Sequence, residues 1–290
     1  MPTLLVTGAN GQLGREFQRI NARFDDFKFL FTTREELDIA DKEGVKEFFR
    51  QHAFDYCINT AAYTAVDLAE KKREEAFNIN VRGVEHIARA CLAKDIPLIH
   101  FSTDYVYHKL HNTPFLESDA TNPKGVYAKT KLEGELRAAE IHESTFVFRV
   151  SWLYSVFGVN FVKSMLRLGK ERETLNVVFD QISSPTYARD LATTVLQIIG
   201  VLEKDYDLAK KLAGVYHYSN EGVCSWYDFA KAIMEMKNID CKVNPIRSAD
   251  YPTPAQRPSF SLLDKEKIKH EFNIEIPYWR DSLEACLKLL

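Results

Sequence analysis

The sequence predicts an α/β protein: a doubly wound parallel sheet with a smaller C-terminal lobe. Three observations carry this. Short apolar runs alternate with amphipathic stretches through the first half, and those runs are near-continuous, without a polar second face. A glycine-rich turn joins the first run to the first amphipathic stretch. Strands covered on both sides read this way, and strand–helix alternation at this spacing implies crossovers on both faces of a parallel sheet.

The elements follow in order. Strands are expected at "TLLVTG", "KFLFT", "FDYCINTAA", "IPLIHFSTD" and "TFVFRVSW". Helices are expected at "GREFQRINARF", "KEGVKEFFRQH" and "AFNINVRGVEHIARACLAK", and at "VYAKTKLEGELRAAEI" after the turn-forming "ESDATNPKG". After Trp152 the texture changes. "GVNFVKSMLRLGKERE" and "ARDLATTVLQIIGVLE" read as helices, "LNVVF" and "GVYHYSNEG" as short strands, and "SWYDFAKAIMEM" as a helix capped by Ser225. The proline-rich "SADYPTPAQRPSFS" cannot be regular. The expected division is a dinucleotide-binding domain over 1–150, also receiving segments around 187–220, and a smaller interleaved lobe over 151–290.

Composition narrows the function classes. With 290 residues, 46% hydrophobic and 27% charged, the chain matches a soluble globular protein with a sizeable core. A net charge of -3 without a long basic run argues against nucleic-acid or membrane-surface partners, and no apolar run is long enough to span a bilayer. "MPTLLVTGANG" enters strand-like sequence without a basic leader. Five dispersed cysteines, Cys57, Cys91, Cys224, Cys241 and Cys286, read as reduced thiols of a cytoplasmic protein. The histidines show no metal-ligand spacing, and His108 and His111 read as exposed loop residues, so no metal ligands are expected.

"TLLVTGANGQLGREF" places Gly8, Gly11 and Gly14 directly between a strand and a helix. Glycines there permit a tight turn and a close backbone approach to a pyrophosphate, which the helix N-terminus then attracts. This is the Rossmann-type arrangement, and its context makes an otherwise weak motif strong. Asn10, Gln12 and Leu13 belong to the same cofactor-binding turn. Beyond the second strand, Thr33 and Arg34 occupy the place where an acid usually holds the adenosine ribose. Arg34 has two readings, neutraliser of a 2′-phosphate or solvated surface charge; the first favours NADPH, with NADH tolerated. Asp38 and Ile39 are candidates to frame the adenine, and Ala61, Ala62 and Tyr63 follow the third strand where small residues would lie against the cofactor.

The strand "PLIHFSTDYVY" ends in Thr103 and Asp104 on the rim where such sheets bind ligands. Tyr127 and Lys131 stand one helical turn apart in "YAKTK" and share a face. A hydroxyl, a phenol and an ammonium at one spot suit carbonyl reduction. Hydride addition leaves charge on oxygen, which Tyr127 can protonate and Thr103 can hold in position. Lys131 beside the phenol would lower its pKa, and could also bind the ribose.

From "LLVTGANGQLG" through "STDYV" and "YAKTK" the chain resembles the extended short-chain dehydrogenase/reductases. With "AAYTAVDLAE", "PKGVYAKTKLEGE", "RVSWLY", "DQISSPTYARDLA" and "YPTPAQRPSFSLLD" it resembles, within them, the dTDP-4-dehydrorhamnose reductase family, in order over almost the whole chain. The resemblance implies NAD(P)H-dependent reduction of the 4-keto group of a dTDP-6-deoxy-4-keto sugar to dTDP-L-rhamnose, which serves cell-surface polysaccharide synthesis. It implies Tyr127 as proton donor, Lys131 as its partner and Thr103 as the positioning hydroxyl. It also implies substrate contacts at Asp104 and Trp152, and more weakly at Asn160 and Arg257. A homodimer is a further expectation; a divalent ion such as Mg is linked to some relatives, but no residue here specifies one. The chain departs from the family at "YHKLHN" after "STDYV" and at "YAKTK" where "YGKTK" is commoner, which bears on the sugar accepted.

Rival readings share the scaffold. A dehydratase needs an acid after the strand-end "TD", where Tyr105 stands instead. An epimerase would return its hydride and consume no cofactor. A non-catalytic NADP-binding regulatory subunit, of the kind that accompanies methionine adenosyltransferase, is disfavoured by the joint presence of Thr103, Tyr127 and Lys131.

Overall fold

A parallel sheet of six strands organises the molecule. Our computed structural model describes residues 1–109, 112–205 and 207–290. The sequence-expected His111, in the "YHKLHN" loop, lies outside the described residues. The first five strands are β1 (Thr3–Thr7), β2 (Lys28–Thr32), β3 (Tyr56–Asn59), β4 (Leu98–Thr103) and β5 (Thr145–Val150). Farther along the chain come β6 (Thr174–Val178), β7 (Gly214–Tyr218) and β8 (Lys242–Ile246). Across the sheet the order is β7, β5, β4, β3, β1, β2, so the winding direction reverses between β1 and β3. The crevice beyond the carboxyl ends of those two strands is where open α/β sheets bind ligands.

Alternate side chains of each strand serve opposite helical layers. Leu4 and Val6 pack with α1 (Gln12–Ile20) and α6 (Ala188–Leu202), through Phe17, Ile20, Leu191 and Val195 among others. Leu5, Cys57 and Leu98 face α2 (Lys42–Gln51), α3 (Val84–Lys94) and α4 (Gly125–Ile141). Burial on both faces is why these strands lack polar alternation. All five cysteines are buried and unpaired.

A second core gathers α5 (Phe161–Glu171), α7 (Trp226–Met236) and α8 (Trp279–Leu287) around the parallel pair β6 and β8. The Ser225 cap is present as a full capping box with Asp228. One local feature was not foreseen. The helix leading into α3 contains a π-helical turn, Asn78–Gly83, that turns Asn80 inward. The Asn80 amide bonds both the N–H and the C=O of Tyr63 (2.8 and 3.1 Å), and the Thr130 hydroxyl on α4 (3.2 Å).

Candidate active site

The glycine turn after β1 is built for backbone approach. Gly8 has φ +65°, and a methyl on it would come within 2.7 Å of the Ala61 backbone at the end of β3. The N-terminus of α1 has no side-chain cap, so its amides stay free for an anion. In front lies a cavity of about 600 Å³, lined on one side by Asn10, Gly11, Gln12 and Leu13 with Ala61 and Ala62. Thr103, Asp104, Tyr127, Lys131 and Trp152 line the other side. A close-approach turn, free amides and a wall of small residues fit a dinucleotide.

Tyr127 opens α4 and lies within hydrogen-bond reach of the Thr103 hydroxyl, which ends β4. Burial pushes its phenol up to about 12; the Thr103 hydrogen bond opposes this and the Asp104 charge adds to it. The expected lowering by Lys131 is therefore corrected. Lys131 is buried, and its ammonium turns to the Phe101 carbonyl at 2.5 Å and to within 3.5 Å of His100 Nε2. Burial also pushes Lys131 down to about 8, with Glu135 pulling it back up. His100 is held well below its ordinary value by burial and by the Lys131 charge, so it stays neutral.

Asp104 is 1% exposed, and burial pushes its carboxyl up to about 7 against hydrogen bonds from Ser261 and Thr103. Trp152 has φ +45° and stacks on Trp226, ring centroids 3.7 Å apart. Trp226 and Ser261 were not singled out from sequence. Each comes from a distant segment, and only the fold brings it to the rim.

Other expected site residues lie elsewhere. Ile39 is buried in the core beneath α2 and α3, against Gly83, and does not border the cavity. Tyr63 packs with Val126 and Tyr127 behind the site, because Asn80 fixes its backbone. Asp38 is engaged with Arg34 (3.1 Å) and with the Ala40 amide (2.9 Å). Arg34 remains largely exposed near Thr33, whose amide donates to Glu36. Gly14 sits in α1 behind the turn. Asn160 caps α5 and donates to Gln12 Oε1 at 2.8 Å, so it braces the turn from outside the cavity. Arg257 forms a bidentate pair with Asp67 (2.7 and 3.2 Å), and its guanidinium is already engaged. His108 is half-buried. Among the described residues no group of three or more His, Cys, Asp or Glu is arranged to hold a metal, and no helix is long and apolar enough to cross a membrane.

The fold and this site define an NAD(P)-binding reductase class within the short-chain dehydrogenase/reductase scaffold. The chain belongs to the RmlD substrate binding domain family, whose model matches residues 2–290. A dTDP-4-dehydrorhamnose reductase of Aggregatibacter actinomycetemcomitans is 39% identical over 98% of both chains. The crystal structure of a dTDP-4-dehydrorhamnose reductase from Clostridium acetobutylicum superposes with a TM-score of 0.92 at 37% identity, over 99% of both chains. That of Bacillus anthracis, determined in complex with NADP, gives 0.92 at 35% identity, over 100% of this chain and 99% of its own.

Proposed function

We propose that this chain reduces the 4-keto group of dTDP-4-dehydrorhamnose to give dTDP-L-rhamnose, with NADPH as the reductant. The observation that carries the reading is the meeting of Thr103, Tyr127 and Lys131 at one wall of a cavity whose other wall is the glycine turn. Full-length similarity to reductases of that name supports the substrate. Bound at the turn, the nicotinamide cofactor would supply hydride. The remaining work falls to the chain.

Gly8 and Gly11 of the turn and the α1 amides would hold the pyrophosphate, and the small Ala61 and Ala62 would leave room for the cofactor against the end of β3. Arg34 is the group available to a 2′-phosphate, at the expense of its pair with Asp38. Tyr127 delivers a proton to the sugar oxygen. Its raised pKa keeps the phenol protonated at neutral pH, as a donor must be. Thr103 holds the same oxygen, Lys131 supplies positive charge nearby, and the stacked Trp152–Trp226 pair offers a flat wall for the nucleotide sugar.

In this reading residues 1–150, with the segments around 187–220, form the dinucleotide-binding half and 151–290 the nucleotide-sugar half. Five buried, unpaired thiols support a cytoplasmic location. The expected homodimer is tested by sedimentation. The function is tested by supplying enzymically made dTDP-4-dehydrorhamnose and NADPH, then following both cofactor and product. One NADPH consumed per dTDP-L-rhamnose formed is expected. Interconversion of sugars without net NADPH loss would mark an epimerase instead.

A further inference from the structure

Thr103 is asked to donate a hydrogen bond to the sugar oxygen, yet its single hydrogen is already committed. Thr103 Oγ1 donates to Asp104 Oδ1 at 3.2 Å and accepts from the Tyr105 amide at 3.2 Å. A hydroxyl so engaged has a lone pair to offer and no proton. The other carboxyl oxygen, Asp104 Oδ2, accepts from Ser261 Oγ at 2.5 Å. Ser261 is 2% exposed, and among the described residues its hydroxyl has no other acceptor. If Ser261 did not donate to Oδ2, its hydrogen would be stranded in the interior without an acceptor, which is unfavourable. Ser261 therefore keeps Oδ2 an acceptor, and a proton taken up by this carboxyl goes to Oδ1, the oxygen that faces Thr103.

We propose that Asp104 and Ser261 are a positioning pair that aims the Thr103 hydroxyl: with a proton on Oδ1, Asp104 donates to Thr103, and the Thr103 hydrogen is released to the sugar oxygen. This rests on the reductase reading for the identity of that oxygen. Thr103 Oγ1 then has two incoming donors, the protonated Asp104 and the Tyr105 amide, and its own O–H points outward toward the Tyr127 hydroxyl within its reach. With Asp104 ionised, the carboxylate recaptures that hydrogen. Around Asp104 stand the Tyr105 and Tyr127 phenols, with the Arg257–Asp67 pair beyond Tyr105 and Lys131 lining the same cavity. Among the described residues no cation is paired with the carboxyl to hold it ionised; hydrogen bonds from Ser261, Thr103 and the Asp104 and Tyr105 amides oppose the effect of burial.

The test is kcat/KM against pH for wild type, Asp104→Asn and Ser261→Ala, with infrared difference titration of the same proteins without substrate. Wild-type kcat/KM should be level on the acid side of the Asp104 titration, near 7, and fall about tenfold per pH unit beyond it. A protonated-carboxyl band should disappear over the same range and be missing from Asp104→Asn. In Asp104→Asn, whose amide donates at every pH, that limb should vanish whatever the level of activity, leaving the later limb of Lys131 near 8. Ser261→Ala should shift the limb to higher pH, since the carboxylate loses a donor, and lower the plateau severalfold. A rate that rises through the range, or a wild-type limb retained in Asp104→Asn, overturns the proposal. An active enzyme without the carboxyl band overturns it too. A carboxyl band that titrates and moves in Ser261→Ala, in a protein inert toward the keto sugar, supports the pair and refutes the reductase reading.

Discussion

Tyr127, Lys131 and Thr103 were legible in the sequence because local rules place them. A helical turn aligns the first two, and a strand end carries the third to the ligand-binding rim. Their electrostatics were not legible. Burial lifts the phenol to about 12, and the ammonium meets a backbone carbonyl that no spacing rule announces. Tyr63 and Ile39 were assigned by chain position and Asn160 by family resemblance, but their partners come from other segments: Asn80, Gly83 and Gln12. Trp226 was invisible as a site residue until the fold stacked it on Trp152. Trp226→Ala should raise KM for the nucleotide sugar severalfold with little change in the affinity for NADPH, read by steady-state kinetics and cofactor fluorescence; equal losses in both would remove the indole wall from the sugar site.

At the scale of elements, strands and helices were readable wherever one hydrophobic period ran unbroken. The π-helical turn at Asn78–Gly83 was not, because its cause is tertiary. Asn80 reaches Tyr63 and Thr130, and α4 packs against its carbonyl at Gly134, where a methyl would overlap the Asn80 oxygen. Gly134→Ala should destabilise by roughly 1–3 kcal/mol, the cost of overpacking a tight contact. Thermal unfolding would check this, and an unchanged Tm would show that the two helices separate freely. Ser225→Ala removes the hydroxyl that accepts from the Asp228 amide, leaving the backbone half of the capping box, and should cost about 1 kcal/mol, measured by denaturant titration.

Over the whole molecule, the parallel sheet and its two helical layers followed from apolar runs and their spacing. The return of Gly214–Tyr218 to the sheet edge beside β5 had only a hint in sequence, since long-range pairing leaves no local mark. That edge also holds a buried network absent from any motif: Glu135 pairs with Arg149, which donates to the Tyr107 hydroxyl beside His217. Burial pushes His217 down to about 3 from 6.5, so the unfolded chain takes up a proton there that the folded chain refuses. Stability should accordingly fall as pH drops below 6.5. Buried His100 acts in the same direction, while Asp104, held at about 7 against 3.8, binds its proton in the folded state and opposes them. Between pH 6 and 5, His217→Gln should lose about 1 kcal/mol less stability than wild type, since one proton linked to folding is worth about 1.4 kcal/mol per pH unit. Parallel slopes in denaturant titrations would contradict this.

The central claim is that Tyr127 delivers the proton that completes reduction of a nucleotide-linked ketone. It is tested most directly by NADPH oxidation with dTDP-4-dehydrorhamnose at neutral pH, wild type against Tyr127→Phe. Rapid turnover by wild type and a loss of about a hundredfold or more in kcat for Tyr127→Phe, with NADPH binding retained, is the predicted result. Equal turnover by the two proteins, or a wild type that binds NADPH and never oxidises it with this sugar, would contradict the claim.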